Sequence, residues 1–169
     1  MIRPVQPEDA AELAALYAAN REFLARHGPT HPDEFFTADG QRLRIQLAIA
    51  TGVNLARAHP FAILDGSAIA GTTTIFRIRR GARQSCSISF WVDRERNGRG
   101  LATGAVEDAV AYAFGELALR RVLAATVRDD TASQRVLEKT SFERIGDERP
   151  DVVINGEGRD FVIFERIAA

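Results

Sequence analysis

The sequence has little of what marks a secreted, membrane-spanning or nucleic-acid-binding protein. It has one cysteine, Cys86, which cannot form a disulfide within the chain. Its 23 acidic and 22 basic side chains nearly cancel, so no overall field attracts nucleic acid or an acidic membrane surface. The apolar runs are too short to span a bilayer, and the N-terminus has no signal-peptide pattern. These absences predict a cytoplasmic protein that binds neither nucleic acid nor membrane.

The length and the composition indicate one domain. The 169 residues fall within the usual size of a domain, and a hydrophobic fraction of 46% is enough for one substantial core. No internal repeat, low-complexity tract or interdomain linker interrupts the chain. We therefore expect a single domain over residues 1–169.

The order of apolar patterns predicts an α/β (α+β) fold. Alternating or short apolar runs predict seven strands, at residues 2–5, 61–64, 69–78, 85–92, 122–127, 142–145 and 161–166. Helical spacing predicts four helices, at residues 7–26, 41–56, 101–117 and 131–139. In the second helix Leu43, Leu47 and Ala50 form the predicted apolar stripe. The pair Asn155-Gly156 predicts a turn before the last strand. Tight connections between the second, third and fourth strands predict a mixed, mostly antiparallel sheet with helices on its faces.

The connection between the fourth strand and the third helix has the strongest local signal for a ligand. Gly98 and Gly100 let the backbone turn and approach a ligand closely. The first N–H groups of the helix that follows have no acceptor within the helix, and the helix dipole adds positive potential. Nearby positive charge comes from Arg94, Arg96 and Arg99. Such a loop suits a pyrophosphate, although an ordinary connection with two glycines remains an alternative.

Two common nucleotide-binding motifs do not match this loop. A dinucleotide-binding fingerprint has three spaced glycines, and here only Gly98 and Gly100 are present. A P-loop needs a glycine-lysine pair followed by serine or threonine, which the segment lacks. The ligand of this loop is therefore expected to be something other than NAD or ATP.

Two separated motifs resemble those of one known family. The segment Asn97-Gly98-Arg99-Gly100-Leu101-Ala102 resembles the pyrophosphate loop of the GNAT superfamily of acyl-CoA-dependent N-acetyltransferases, with Asn97 in the place of Gln or Arg. The segment Asp130-Thr131-Ala132-Ser133-Gln134-Arg135-Val136-Leu137-Glu138-Lys139-Thr140-Ser141-Phe142 is similar to one in its RimJ/RimL-like branch, with Asp130 for Asn and Ser141 for Gly. Weaker similarity at residues 20–24 and 114–122 extends the resemblance over nearly the whole chain.

The resemblance implies a fold, a cofactor and a site. The fold is a GNAT-like sheet splayed between its fourth and fifth strands, and the cofactor is acetyl-CoA, with no metal. A possible partner is a second copy of the chain, as a homodimer. The residues implied to bind the cofactor are Trp91, Val92, Asn97, Gly98, Arg99, Gly100, Leu101, Ala102, Thr103, Asp130, Ser133 and Arg135.

The resemblance also implies the catalytic group. Many members protonate the departing thiolate with a tyrosine, but this chain has Leu137 at that place. Ser133, on the first turn of the short helix, is the implied replacement, and the alternative is that it only caps the helix. A base is harder to assign, because the strand at residues 85–92 contains no carboxylate. The segment with His31, Asp33 and Glu34 borders the acceptor site in this superfamily, although a solvated loop is the plainer reading of those residues.

The acceptor is expected to be a primary amine, and the RimJ/RimL-like branch implies the N-terminal α-amine of a protein or peptide. An α-amine has a pKa of about 7.7–8.0 and is partly neutral near pH 7, whereas a lysine near 10.4 needs a stronger base. Two alternatives stay open. One is a small-molecule amine such as a polyamine, an amino acid or an aminoglycoside-like compound. The other is a non-catalytic acyl-CoA-binding module, for which Asn97, Asp130 and the missing tyrosine would reflect lost function.

Overall fold

A computed structural model describes residues 1–55, 58–148, 153–155 and 157–168 of the chain. Its strands are β1 (Ile2–Pro4), β2 (Ala58–Asp65), β3 (Ala68–Arg79), β4 (Ser85–Val92), β5 (Arg121–Val127), β6 (Glu143–Glu148), β7 (Val153–Ile154), β8 (Glu157–Gly158) and β9 (Phe161–Ile167). Its α-helices are α1 (Ala10–Ala19), α2 (Arg21–Ala25), α3 (Ala38–Leu55), α4 (Leu101–Phe114) and α5 (Thr131–Lys139). Single 3-10 turns lie at Pro7–Asp9, Asp33–Phe36 and Arg94–Arg96. In these ranges no helix is both long and apolar enough to cross a membrane.

Seven strands form one sheet in the order β1-β2-β3-β4-β5-β9-β6, and β7 pairs with β8 as a separate short hairpin. All neighbours in the large sheet are antiparallel except β4 and β5, which are parallel. The predicted mixed, mostly antiparallel sheet is confirmed. Its order places the last strand, β9, between β5 and β6. Alternate residues of β9 explain this position, because Val162 and Phe164 are almost fully buried in the core.

The sheet forks at its one parallel pair. β4 and β5 are paired only from Ser85 with Arg121 to Ile88 with Ala124. Beyond these residues, the described parts of β4 (89–92) and β5 (125–127) have no partner across the gap. The backbone edges that face each other there are free to bind something else. The splay predicted between the fourth and fifth strands is confirmed.

Helices cover both faces of the sheet. On one face, α4 packs closely because small residues point inward, with Ala105, Ala109 and Ala113 completely buried. On the other face, Leu13 of α1 and Ile45 of α3 pack over β2 and β3. Buried apolar clusters on both faces thus hold the sheet between helices, and the fork lies between its central strands β4 and β5.

The first predicted helix, at residues 7–26, was wrong in its continuity. A 3-10 turn precedes α1, and the helix is interrupted at Asn20 before α2 begins. The Asn20 side chain is buried, and its Nδ2 donates both to the Leu16 carbonyl at 3.0 Å and to Asp93 at 3.1 Å. Its Oδ1 accepts the backbone N–H of Arg94 at 3.0 Å. Contacts with residues that are distant in the sequence therefore determine where the helix is interrupted.

The predicted apolar stripe of the second helix was also wrong. Leu43 and Leu47 are 58% and 55% exposed, whereas Gln41 and Ile45 are buried. Gln41 is turned inward because its Nε2 donates to the carbonyl of Phe35 at 2.5 Å. The helix begins at Ala38, three residues before the predicted start at residue 41.

Near the C-terminus of the chain, Asn155 has the positive φ of 54° expected for the predicted turn, while Gly156 lies outside the described residues.

Candidate active site

The fork opens into a cleft of about 760 Å³. The ends of β4 and β5 that are not paired with each other form its middle, and the starts of α4 and α5 lie on one side of it. Residues from α1, α2 and α3 and the segment that joins α2 to α3 close the other side. The cleft therefore has two chemically different ends.

The first, the glycine-loop end, is formed by Gly98, Gly100, Arg135 and Lys139. Gly98 and Gly100 have φ of 77° and 79°, in the left-handed region that glycine adopts without strain. The backbone N–H groups of residues 98–100 donate no hydrogen bond to any described residue. The first N–H groups of α4 are also without intrahelical acceptors. A row of unpaired amides at a helix N-terminus is a site for an anion such as a pyrophosphate.

Positive charge at this end comes from α5 rather than from every arginine of the loop. Arg135 and Lys139 are exposed, line the cleft and form no ion pair with another residue in the described part of the chain. In contrast, Arg96 and Arg99 both bind Asp65 at the end of β2, at 3.3 and 2.6 Å. The Arg99 side chain is thereby held off the cleft wall. Two cations are thus free to meet phosphate groups.

Most of the residues predicted to bind the cofactor come together on this cleft. Those that line it are Trp91, Val92, Asn97, Gly98, Gly100, Leu101, Ala102, Thr103, Asp130, Ser133 and Arg135. Arg99 is the exception, because its side chain turns toward Asp65. Its backbone amide remains within the glycine loop.

Ser133 and Asp130 lie together at the start of α5. The Asp130 carboxylate accepts the backbone N–H of Ser133 at 3.1 Å and so caps the helix. Ser133 is half-buried and lines the cleft, and its hydroxyl makes no hydrogen bond with another described residue. Leu137, at the place where the resemblance seen in the sequence implies a tyrosine for many members, is completely buried. The capping role therefore belongs to Asp130, which leaves the Ser133 hydroxyl available to a ligand.

Thr126 indicates that the fork suits a ligand with polar groups. This residue of β5 is 7% exposed and lines the cleft. Its hydroxyl is buried and has no hydrogen-bond partner among the described residues. Buried polar groups are rarely left without a partner in folded proteins. No sequence pattern marks Thr126, because the orphaned hydroxyl follows from the divergence of two strands. Together with the unpaired amides, it fits a bound pantetheine and pyrophosphate.

The second, the aromatic end, is formed by Tyr17, His31, Phe35, Arg44 and Trp91. The rings of Tyr17 and Trp91 lie 4.9 Å apart, and the indole N–H donates to the Tyr17 hydroxyl at 3.4 Å. Tyr17 also meets the buried Phe35 edge-on at 4.7 Å. His31 stacks on Phe35 at 3.8 Å, with the two rings nearly parallel. This end is a rigid aromatic wall.

Of the three residues predicted to border the acceptor site, only His31 lines the cleft. Burial, and then the nearby Arg44 guanidinium, hold the pKa of His31 below its ordinary value, so its ring is neutral at pH 7. Asp33 instead pairs with Arg21 at 2.9 Å, and Glu34 is exposed away from the lining. Tyr17, Phe35 and Arg44 were not predicted, because nothing local marks residues from separate helices that meet only in the fold.

Cys86 takes no part in the cleft. This residue of β4 is 1% exposed, packs in the core and does not line the cleft. Burial raises the pKa of its thiol to about 12, so the reactive thiolate is scarcely populated near neutral pH. A covalent acyl carrier at this position is therefore disfavoured.

A parallel pair of strands that diverges beside a glycine loop and a helix N-terminus defines an acyl-CoA transferase type of site. Residues 1–143 match the family model for the acetyltransferase (GNAT) domain. The chain belongs to the GNAT acetyltransferase family.

Relatives of known name agree with this family. The chain is 36% identical over 161 residues to the "probable N-acetyltransferase YjcK" of Bacillus subtilis, with 94% of this chain and 88% of that protein covered. It is 26% identical over 165 residues to the [ribosomal protein uS5]-alanine N-acetyltransferase of Escherichia coli, covering 96% and 84%. The structure of Mycobacterium smegmatis RimJ in complex with CoA-disulfide superimposes with a TM-score of 0.92 at 26% identity, covering 99% and 81%.

The protein is thus an acetyl-CoA-dependent N-acetyltransferase with RimJ/RimL-type relatives. The resemblance seen in the sequence, the fold class and the cofactor are confirmed. The cleft in the fork is the place where the acetyl donor and the amine are expected to meet.

Proposed function

We propose that this enzyme acetylates the N-terminal α-amine of a protein or peptide. The observation that carries the proposal is the chemistry of the aromatic end, where the described lining has rings and a neutral histidine but no carboxylate. An α-amine with a pKa of about 7.7–8.0 is partly neutral at pH 7 without a strong base, unlike a lysine near 10.4. The relative from Escherichia coli, named as a [ribosomal protein uS5]-alanine N-acetyltransferase, supports a protein as the acceptor.

The glycine-loop end is proposed to hold the donor. When bound, acetyl-CoA supplies a thioester whose acetyl group can pass to an amine. The amides of residues 98–103 bind the pyrophosphate, with Asn97 beside them. Arg135 and Lys139 line the cleft at the same end and are proposed to bind phosphate oxygens. The free edge of β4 at Trp91 and Val92 pairs with the pantetheine amides.

Ser133 is proposed as the group that protonates the departing thiolate. Ser133 lines the cleft, and its hydroxyl is not used by the helix cap, because Asp130 binds the backbone N–H instead. No tyrosine can do this work from the position of Leu137, which is buried. His31 is proposed to receive a proton from the amine, since its ring is neutral and lies at the aromatic end.

The remaining parts of the proposal concern the whole chain. We propose that residues 1–169 act as one acetyltransferase unit, because strands from residue 2 to residue 167 belong to one sheet. An acceptor of the ribosomal-protein class supports action in the cytoplasm. A homodimer stays a prediction, which sedimentation of the purified protein tests.

The test mixes the purified protein with acetyl-CoA and three sets of amines, namely peptides with alanine or serine first, polyamines, and aminoglycosides. Release of free CoA thiol is followed with a thiol reagent, and the buried Cys86 adds no background. Rapid release with the peptides, and none with the same peptides blocked at the N-terminus, is expected. Release only with polyamines or aminoglycosides would overturn the proposal in favour of a small-molecule enzyme. Silence with every amine despite tight acetyl-CoA binding would indicate a binding module.

A further inference from the structure

Arg44 is a charged residue of the aromatic end to which the proposed transfer reaction gives no role. It extends from α3 to the cleft wall, with its guanidinium carbon 4.5 Å from the centroid of the Phe35 ring. Phe35 is buried and is fixed on its backbone by Gln41, whose Nε2 donates to the Phe35 carbonyl. A cation held over an aromatic face in this way is oriented rather than freely mobile.

The arginines of neighbouring positions have carboxylate partners, and Arg44 has none in the described ranges. Arg42, on the same helix, binds Asp39 at 2.9 Å, and Arg21 binds Asp33 at 2.9 Å. The described lining contains one carboxylate, Asp130, which already caps α5 by accepting the N–H of Ser133. Arg44 thus presents an uncompensated positive charge to whatever enters the aromatic end.

The charge at this end also argues against a polycationic acceptor. His31 feels Arg44 strongly enough that the pKa of its ring is lowered, after the larger effect of burial. A polyamine or an aminoglycoside would bring several positive charges to the same wall with no described carboxylate to receive them. An acceptor with a negative charge near its amine would instead be complementary.

We propose that Arg44 binds a carboxylate of the acceptor, so that the enzyme prefers peptides with an acidic side chain at the second or third residue. The inference rests on the proposed function, because it names the class of N-terminus that the same site accepts. The guanidinium offers parallel N–H donors that match a carboxylate in a bidentate pair. The acidic side chain of the peptide places its carboxylate a short distance from the α-amine, and the α-amine remains free to reach the fork.

The experiment compares two peptides that share an N-terminal alanine and an amidated C-terminus. One has Glu at the second and third residues, and the other has Gln at both. For the unmodified enzyme, kcat/KM is expected to be about tenfold higher for the Glu peptide, the size typical of a partly exposed charge-assisted hydrogen bond. In Arg44→Gln the ratio is expected to fall to about one, mainly through a higher KM for the Glu peptide. The matched control Arg42→Gln is expected to keep the full ratio.

The outcomes separate this inference from the function it rests on. Turnover of both peptides at equal kcat/KM by the unmodified enzyme, or an unchanged ratio in Arg44→Gln, would overturn the role of Arg44 and leave N-terminal acetylation intact. If neither peptide is acetylated by the unmodified enzyme or by either variant, the proposed function and the inference are overturned together. Free glycine, which has an α-carboxylate of its own, serves as the third substrate. Turnover of glycine that exceeds that of the Glu peptide and depends on Arg44 would also overturn the inference, because the carboxylate would then belong to an amino acid.

Discussion

Replacing Ser133 with alanine separates catalysis from folding unusually well in this structure. The substitution removes only the hydroxyl, which makes no hydrogen bond with another described residue. The backbone N–H of Ser133 still reaches the Asp130 carboxylate at 3.1 Å, so the cap of α5 survives. Alanine is also the better helix former, by up to about 0.5 kcal/mol. Stability is therefore expected to be unchanged or slightly higher.

The expected kinetic effect follows from the proton that Ser133 is proposed to donate. General acid catalysis by a positioned side chain contributes roughly 10²–10⁴ in rate. We expect Ser133→Ala to lower kcat about 10²-fold, which corresponds to about 2.7 kcal/mol in the barrier. The dissociation constant for acetyl-CoA is expected to stay within about twofold, because the amides and cations of the glycine-loop end are untouched.

The assay measures kcat by thiol release with an alanine-first peptide and acetyl-CoA affinity by calorimetry. Thr131→Ala is the matched control, since Thr131 is an exposed residue on the same helix turn and does not line the cleft. It is expected to leave both quantities unchanged. An unchanged kcat in Ser133→Ala, or equal losses in rate and affinity, would refute the assignment of Ser133 as the proton donor.

Three further predictions test the loop, the core and the response to pH. Gly100→Ala places a side chain at φ 79°, at a cost of about 1–2 kcal/mol, and is expected to weaken acetyl-CoA binding about tenfold, as measured by calorimetry. The control Gly104→Ala, which has equally open space inside α4, is expected to leave acetyl-CoA binding unchanged. Cys86, with its thiol pKa raised to about 12, is expected to react with iodoacetamide at pH 8 only after unfolding, and rapid labelling of the native protein would contradict its burial. Burial and Arg80 lower the pKa of His59, so protonation favours the unfolded chain, and thermal stability should fall as the pH drops below about 6.5. His59→Asn is expected to lessen that fall, and an equal fall would contradict the assignment.

Local signals in the sequence were sufficient for the glycine-loop end. Gly98 and Gly100 precede a helix, and the need for a positive φ at both positions depends on the adjacent backbone alone. Ser133 and Asp130 are similarly close in sequence and meet at one helix start. Predictions of this kind succeed because the interacting atoms are a few residues apart.

The aromatic end could not be predicted in the same way. Tyr17, Phe35 and Trp91 come from three parts of the chain and meet only after α1 packs on the sheet. The break at Asn20 has the same origin, because its side chain is bound by Asp93 and Arg94, more than 70 residues later. Helical periodicity alone favoured an unbroken helix there.

The second helix shows how a pattern can point to the wrong face. Leu43 and Leu47 follow helical spacing, but Gln41 and Ile45 face the core instead. The buried amide of Gln41 is compensated by the carbonyl of Phe35, a partner that no periodicity encodes. The same rotation of α3 brings Arg44 to the cleft, so the error in the stripe and the missed cation have one cause.

The most direct test of the central claim is the position of the transferred acetyl group. A peptide with an N-terminal alanine and one internal lysine is incubated with the enzyme and acetyl-CoA, and fragmentation in a mass spectrometer locates the added group. We expect acetylation of the α-amine alone, because the aromatic end has no described carboxylate that could deprotonate a lysine. Acetylation of the lysine side chain, or of neither amine, would contradict it.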